Sequence, residues 1–355
     1  MAQINKPDDY FNTKLYTGNG STQSITGVGF QPDWVWIKDR DNATNHMVFD
    51  SVRGTGEELH TQNTDSETTQ ANTLTAFGSD GFSLGSNSDV NNSSQNFVAW
   101  NFLASNTTAS NTDGDITSTV SANTTAGFSI VTYTGNGTQT NTEVGTGLST
   151  SLDMIISKPL DTGGGTDVWI VYVKNVTEGT GDCLLLNTTD ARLNGGAGGG
   201  TNANGTTAGN LIIKPGSASN NNLNNSGTRY VSYCFSSVKG YSKIGSYTGN
   251  GSTDGTFIYT GFKPAWIMIK RTDSAGGWVM FDNKRNSFNV MDETLLANVS
   301  DAETVYANQI FDFVSNGLKV RGTANSSNAS GASYIYMCFA ENPLVGTNNI
   351  PATAR

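Results

Sequence analysis

The feature that most constrains the fold of this chain is a five-residue phrase that occurs three times. Tyr-Thr-Gly-Asn-Gly stands at residues 16–20, 133–137 and 247–251. Each copy begins a segment that ends in an aromatic run, at residues 97–102, 230–235 and 334–339. Self-similarity at a nearly constant spacing predicts copies of one structural unit. The chain should therefore contain three related modules.

The patterns within these modules predict β-strands. Strict alternation places Trp34 and Trp36 on one face of a strand, with Val35 and Ile37 on the other. The third module repeats this strand at residues 264–270. A polar residue followed by Gly separates two apolar runs at Asp80-Gly81 and at Asn316-Gly317, which predicts two hairpins. Asp65-Ser66-Glu67 and Asp301-Ala302-Glu303 recur at matching places, and each predicts the start of a single helical turn.

The expected fold class is all-β, with three tandem antiparallel β-sandwich modules of jelly-roll or lectin-like type. The sequence divides into an N-terminal arm (1–13), a first module (14–104), a Ser/Thr/Asn linker (105–125), a divergent second module (126–238), a third module (239–343) and a C-terminal tail (344–355). The second module carries a Gly-rich loop at residues 193–210, whose role the sequence leaves open.

Charge and cysteine content exclude several classes of partner. The net charge of −10 disfavours binding to nucleic acid or to anionic lipid. No apolar stretch reaches the ~20 residues that a membrane helix needs, so no membrane insertion is expected. Cys183, Cys234 and Cys338 form an odd set, which predicts reduced structural thiols and synthesis in a reducing cytoplasm.

Candidates for catalysis and metal binding are weak. His46 and His60 are the only histidines, and we expect both to be ordinary surface residues. No zinc or phosphate-binding motif occurs, so neither a metal nor a cofactor is predicted. Asp39-Arg40-Asp41 could offer oxygen ligands to calcium, but turn capping is the favoured interpretation. Paired carboxylates such as Asp50 and Glu67 are the candidates for glycan hydrolysis.

The aromatic residues are the most suggestive functional feature. Sugar rings stack on Trp and Tyr, while nearby polar groups bind the hydroxyls. The alternative is that these side chains lie on strands and pack in a core. If a glycan is bound, the predicted binding residues lie at the loop edge of the first and third modules: Trp34, Trp36, Asp50, Trp266, Trp278 and Asp282.

Nearly the whole chain resembles a repeat found in structural proteins of tailed bacteriophages, especially those of marine bacteria. The resemblance rests on Tyr-Thr-Gly-Asn-Gly, on the Gly-Phe-x-Pro-x-Trp segments at residues 29–34 and 261–266, on residues 49–54 and on the closing aromatic strands. It is weakest in the second module. Such proteins are commonly described as tail fibres or other surface components, often with lectin-like modules.

The resemblance implies a non-enzymatic protein of the virion, assembled in the host cytoplasm. The leading hypothesis is a tail-fibre-type surface component that recognises a glycan of the host envelope. A purely structural capsid or tail decoration is the main alternative, and a glycan-degrading tailspike is the third. The implied partners are other virion proteins and further copies of the same chain, with a homotrimer as the commonest arrangement.

Overall fold

A computed structural model describes residues 2–138, 141–161, 167–177, 182–194, 209–213 and 223–342. In these residues the chain consists of antiparallel β-strands and their connections, with one short α-helix and one 3-10 helix. The predicted all-β fold is therefore confirmed. The strands form three groups, which we call module 1 (β1–β9, residues 11–102), module 2 (β10–β18, residues 109–235) and module 3 (β19–β27, residues 242–340).

The elements of module 1 follow a 3-10 helix at Pro7–Asp9 and include helix α1 (Ser88–Asn91). Its strands are β1 (Phe11–Thr17), β2 (Gln23–Thr26), β3 (Trp34–Asp39), β4 (Met47–Asp50), β5 (Glu57–His60), β6 (Thr68–Thr69), β7 (Leu74–Gly78), β8 (Gly81–Leu84) and β9 (Asn96–Phe102).

Modules 2 and 3 contain strands only. The strands of module 2 are β10 (Ala109–Asn111), β11 (Ser118–Asn123), β12 (Phe128–Thr134), β13 (Thr142–Gly145), β14 (Met154–Pro159), β15 (Ile170–Val173), β16 (Leu184–Leu185), β17 (Asn210–Ile213) and β18 (Arg229–Phe235). Those of module 3 are β19 (Ser242–Thr248), β20 (Phe257–Tyr259), β21 (Pro264–Arg271), β22 (Trp278–Asp282), β23 (Glu293–Leu296), β24 (Thr304–Val305), β25 (Phe311–Val314), β26 (Gly317–Val320) and β27 (Ser333–Ala340).

Each module has one large and one small sheet, and the large sheets share a strand order. The large sheets run β1-β9-β3-β4-β5-β6 in module 1 and β19-β27-β21-β22-β23-β24 in module 3. Module 2 repeats this order as β12-β18-β14-β15-β16 and adds β10 and β11 outside β12. The small sheets are β2-β8-β7, β13-β17 and β20-β26-β25. The predicted hairpins before Gly81 and Gly317 are confirmed as β7–β8 and β25–β26.

Each large sheet is apolar on both faces, and the two faces belong to different cores. In module 1, Val35 and Ile37 lie in a core between the large and the small sheet. Trp34 and Trp36 point the other way, into a second core built from all three modules. The predicted alternation of β3 is thus confirmed. We call the second core the shared core.

The shared core joins the modules through aromatic contacts. The ring of Trp34 stacks on Tyr233 of module 2 with 4.6 Å between centroids. Phe102 of module 1 meets Phe339 of module 3 edge to face at 5.1 Å. Aromatic pairs at such distances each add ~0.5–1.5 kcal/mol beyond the area that they bury. The three modules therefore close around one aromatic centre and are not independent sandwiches on a string.

The repeated Tyr-Thr-Gly-Asn-Gly phrase has a structural explanation. Asn91 accepts a 2.9 Å hydrogen bond from the Asn19 amide, and its side-chain nitrogen donates to the Gly85 carbonyl at 2.8 Å. A Cβ at Gly18 would overlap the carbonyl oxygen of Asn92, so only glycine fits there. Asn328 makes the same bond to Asn250 in module 3 at 2.9 Å, and Asn224 makes it to Asn136 in module 2. The phrase locks a loop in each module.

Two predicted connecting segments are instead part of the folded body. Residues 105–125 contain β10 and β11, which extend the large sheet of module 2, so they are not a free linker. Within the N-terminal arm, Ile4 is buried, and its amide donates to the Lys239 carbonyl at 3.0 Å. Most of the Gly-rich loop, residues 195–208, and the tail at 344–355 lie outside the described residues.

Candidate functional site

The six residues predicted to bind a glycan are all buried. None is more than 3% exposed, which leaves no ring face on which a sugar could stack. The structure gives these side chains packing and anchoring roles in the shared core and at the module boundaries. They are Trp34, Trp36, Asp50, Trp266, Trp278 and Asp282.

Two equivalent indoles each donate a hydrogen bond to a backbone carbonyl across a module boundary. Trp169 of module 2 donates a 2.8 Å hydrogen bond to the carbonyl oxygen of His60 in module 1. Trp278 of module 3 donates a 2.9 Å bond to the carbonyl of Leu185 in module 2. The strand registers make Trp169 equivalent to Trp278, and His60 equivalent to Leu185. The two boundaries are thus formed by equivalent residues.

The residue at the equivalent place in module 1 is His46. It was expected at the surface, but it is fully buried and accepts a 3.0 Å hydrogen bond from the indole nitrogen of Trp36. The backbone of Leu296 in module 3 lies beside it. Burial lowers the pKa of His46 well below its usual value, so the ring is neutral at neutral pH.

An arginine network fixes the boundary between modules 1 and 2. Arg53 donates to Asp50 at 2.5 Å and to Glu67 at 3.0 Å, with both carboxylates nearly inaccessible. From module 2, the Tyr233 hydroxyl donates to Asp50 at 2.8 Å, and Arg229 pairs with Glu67 at 3.0 Å. The network satisfies two buried carboxylates and links both modules.

The boundary between modules 3 and 1 repeats this network. Arg285 donates to Asp282 at 2.6 Å and to Glu303 at 2.9 Å. From module 1, the indole of Trp100 donates to Asp282 at 3.1 Å, and Arg40 pairs with Glu303 at 2.6 Å. Asp50 and Asp282 are therefore the anchors of equivalent arginine networks.

The boundary between modules 2 and 3 has an apolar version of the same contact. Val173 stands in the register position of Asp50, and Val176 follows it at the spacing of Arg53. Met337 takes the place that Tyr233 and Trp100 hold elsewhere, and it shares the core cluster with Val173. Replacing all the partners together avoids leaving a buried charge unpaired.

Three extended segments connect neighbouring modules by backbone hydrogen bonds. The amides of Glu67, Arg192 and Glu303 donate to carbonyls of the next module over 2.8–2.9 Å. The acceptors are Leu160, Thr272 and Arg40, respectively. The segments at 65–67 and 301–303 were predicted to begin helical turns, and that prediction is wrong. Their backbone is extended because it crosses a boundary.

A buried lysine lies at the same register position in every module. Lys158 donates to the Thr64 carbonyl of module 1 at 3.4 Å, and Lys270 to the Thr189 carbonyl of module 2 at 3.0 Å. Lys38 donates to carbonyls of its own module. Burial lowers the pKa of each of the three ammonium groups to about 8. Lys158 and Lys270 therefore hold loops of the neighbouring module, and Lys38 holds a loop of its own module.

Open grooves lie along the module boundaries. A groove of about 450 Å³ separates modules 1 and 2, and one of about 420 Å³ separates modules 2 and 3. The lining of the first includes Arg53, Glu57, Glu67, Thr132, Thr134 and Arg229. The lining of the second includes Val176, Arg192, Tyr247, Thr248, Asp273 and Tyr334. Both grooves present hydroxyl and charged groups, and none of the aromatic rings that line them is fully exposed.

Among the described residues, every exposed large hydrophobic side chain belongs to module 3. They are Phe257, Tyr259, Phe288, Val290, Val305 and Tyr306. Where the register can be followed into module 1, the equivalents are polar: Ser24, Thr26, Thr69 and Gln70. The sequence analysis missed these residues, although aligning the repeats would have revealed the difference.

The described ranges contain neither a cluster of metal ligands nor a membrane-spanning helix. No cluster of three or more His, Cys, Asp or Glu side chains there could hold a metal ion. Within the same part of the chain, no helix has the length and apolar character to cross a membrane.

Comparison with known proteins identifies the family of the chain. No curated protein and no solved structure matches the chain. A family model described as DUF7483, a domain of unknown function, matches residues 6–343. This range includes all three modules, as expected for a unit built around one shared core. The chain therefore belongs to the DUF7483 family.

Proposed function

We propose that this chain is a non-catalytic structural protein of a bacteriophage particle, assembled in the host cytoplasm and displayed on the particle surface as a decoration. One observation carries the proposal: all six tryptophans, which come from all three modules, are buried in the shared core, and side-chain networks at the boundaries support that core. The resemblance of the chain's repeats to phage structural proteins supports a place in a bacteriophage particle.

The carboxylates considered for glycan hydrolysis have structural partners. Asp50 is fully buried and bound to both Arg53 and Tyr233. The side chain of Glu67 is 6% exposed and lies between Arg53 and Arg229. A glycosidase needs one carboxyl group free to protonate the leaving oxygen and a second that reaches the sugar. These contacts favour a structural role over a tailspike enzyme.

Host recognition of the tail-fibre type is the second candidate, and the groove between modules 1 and 2 favours it. Thr132, Thr134 and Arg229 present hydroxyl and guanidinium donors along a groove of a size that suits a small part of a glycan. Arg229 is about half exposed, and its charge is balanced by Asp161 and Glu67, which favours a neutral sugar over an acidic one. The proposed ligand is then a polar surface glycan of the host.

Immunogold electron microscopy of the phage particles that encode this chain tests the first proposal. Gold distributed over the head or along the tail would support decoration. Gold confined to the distal tail would support host recognition instead. An unlabelled particle, together with absence of the chain from the particle proteins in mass spectrometry, would reject both virion roles.

Binding of the purified chain to susceptible cells tests the second candidate. Arg229→Ala should reduce that binding several-fold, and soluble host polysaccharide should compete. Arg192→Ala, in the groove between modules 2 and 3, is the matched control and should bind like the original chain. Equal loss in both variants would argue against a site in the first groove.

A further inference from the structure

In module 2, the outer edge of strand β13 of the small sheet is already covered by another segment of the chain. The carbonyl of Glu143 in β13 receives hydrogen bonds from the amides of Asp115 at 2.8 Å and Ile116 at 3.1 Å. The Ser118 hydroxyl donates to the Gly145 carbonyl at 2.6 Å. The side chain of Ile116 is buried in the core of module 2. This edge can therefore be covered by added chain.

The corresponding strand of module 3 is β20, the outermost strand of its small sheet. In the described part of the chain, β20 pairs with β26 and with no other strand. Phe257 and Tyr259 are 44% and 65% exposed, whereas Ile258 between them is buried. Since module 1 forms the same strand with Ser24 and Thr26, the two aromatics are not required for folding.

We propose that β20 pairs antiparallel with β20 of a second copy of this chain, across a twofold axis at Ile258. The segment has an aromatic residue on each side of Ile258, so its side-chain pattern is similar in both chain directions. An antiparallel pair centred there sets Phe257 of one copy opposite Tyr259 of the other. An exposed edge with apolar side chains is a template for such pairing.

The charges around β20 favour a second copy over a charged partner. On the face of the sheet that carries the aromatics, Lys319 lies opposite Phe257 and pairs with Asp254 at 2.8 Å. Asp312 pairs with Arg321 at 2.6 Å. A locally neutral face lets two chains of net charge −10 approach each other, and it offers no unpaired charge to a basic or acidic peptide.

The shared core already joins the three modules within one chain. Joining two chains through β20 therefore requires only a twofold axis. This replaces the homotrimer expected from the resemblance with a dimer of three-module bodies. The inference does not depend on where the protein is located.

Sedimentation velocity of the full chain tests the proposal. The original chain should shift with concentration from 37.5 kDa toward twice that mass. The double variant Phe257→Ser, Tyr259→Thr carries the residues of module 1 and should weaken association at least tenfold. Val305→Thr, which makes the module 1 substitution away from β20, should leave association unchanged. Circular dichroism confirms that each variant is folded.

Several outcomes would overturn the proposal. These are a chain that stays monomeric at concentrations on the order of 100 µM, a trimeric mass, or undiminished association of the double variant. A cross-linking experiment checks the register. Phe257→Cys mixed with Tyr259→Cys should form a disulfide-linked dimer more readily than either variant alone, and the three native cysteines are buried. Equal cross-linking of the single variants alone would contradict the twofold centre at Ile258.

Discussion

The indole nitrogen of Trp278 in module 3 donates a hydrogen bond to the carbonyl oxygen of Leu185 in module 2. Trp278 is fully buried and Leu185 is partly buried, and the two residues belong to different modules. The same pairing recurs one boundary away, between Trp169 and His60. The stability of each module should therefore depend on its neighbours.

Trp278→Phe should lower the free energy of unfolding by about 0.5–1.5 kcal/mol, because it removes the indole hydrogen bond to the Leu185 carbonyl, which keeps its 3.4 Å bond from the Thr188 amide. Trp278→Ala should cost more, about 3–5 kcal/mol, because a cavity is added. Chemical denaturation followed by circular dichroism measures both. Tyr306→Ala, at an exposed position of module 3, is the control and should be close to neutral. A neutral Trp278→Ala would show that the shared core does not stabilise the fold.

Removing Arg53 alone should be severe. Arg53→Val leaves the buried carboxylates of Asp50 and Glu67 without their common partner, and such losses cost about 3–5 kcal/mol. The triple variant Asp50→Val, Arg53→Val, Tyr233→Met places the residue types of Val173, Val176 and Met337 at this boundary, and Glu67 keeps its ion pair with Arg229. It should recover at least half of the lost stability in thermal and chemical denaturation. If the triple variant were as unstable as Arg53→Val, the two kinds of boundary would not be interchangeable.

The buried lysines predict an unusual dependence of stability on alkaline pH. Each has a folded-state pKa of about 8, below its ordinary value of 10.5. Between these values the unfolded chain binds more protons than the folded chain, so this contribution makes stability rise with pH. Below pH 8 the cost of burying three ammonium groups is fully present.

Buried tyrosines act in the opposite direction at higher pH. Burial raises the pKa of Tyr16, Tyr133 and Tyr233 well above 10, so their contribution is lost once the unfolded tyrosines ionise above about pH 10. We expect a stability maximum near pH 9 to 10 in urea denaturation. Lys158→Met should reduce the rise between pH 8 and pH 9.5 by about one third. A steady fall in stability from pH 7 upward would contradict the role of the lysines.

The cysteines should be unreactive in the folded protein. Cys183, Cys234 and Cys338 are buried free thiols, and burial raises the pKa of Cys183 to about 12 and that of the other two still further. Since the thiolate is the reactive form, iodoacetamide should modify none of them in the native state and all three after denaturation. Mass spectrometry counts the labels. Rapid labelling of one thiol in native protein would show that its module opens locally.

Local patterns in the sequence were sufficient to predict individual strands and turns. The alternation of Trp34 and Val35 assigned each side chain to the correct face, and the Gly residues at 81 and 317 marked both hairpins. The repeats also gave the equivalence between modules 1 and 3. These features depend on short-range geometry, which residue spacing records directly.

Features that depend on contact between modules could not be predicted in the same way. Burial of His46 depends on Trp36 and on the backbone of Leu296, far away in the chain. The residues of β10 are polar, and their composition therefore suggested a linker. They form a strand because they pair with β11 at the edge of a sheet. One signal was present: residues 34–37 are apolar on both faces, which is typical of a strand that is covered on both sides.

Closing three equivalent boundaries within one covalent chain also has a thermodynamic consequence. Three separate subunits held by the same contacts would come apart on dilution, because their association depends on concentration. In a single chain the neighbours are always present, and no assembly step is required after synthesis. Each of the three copies is then free to change independently, as the apolar boundary at Val173 and the aromatic edge at Phe257 illustrate.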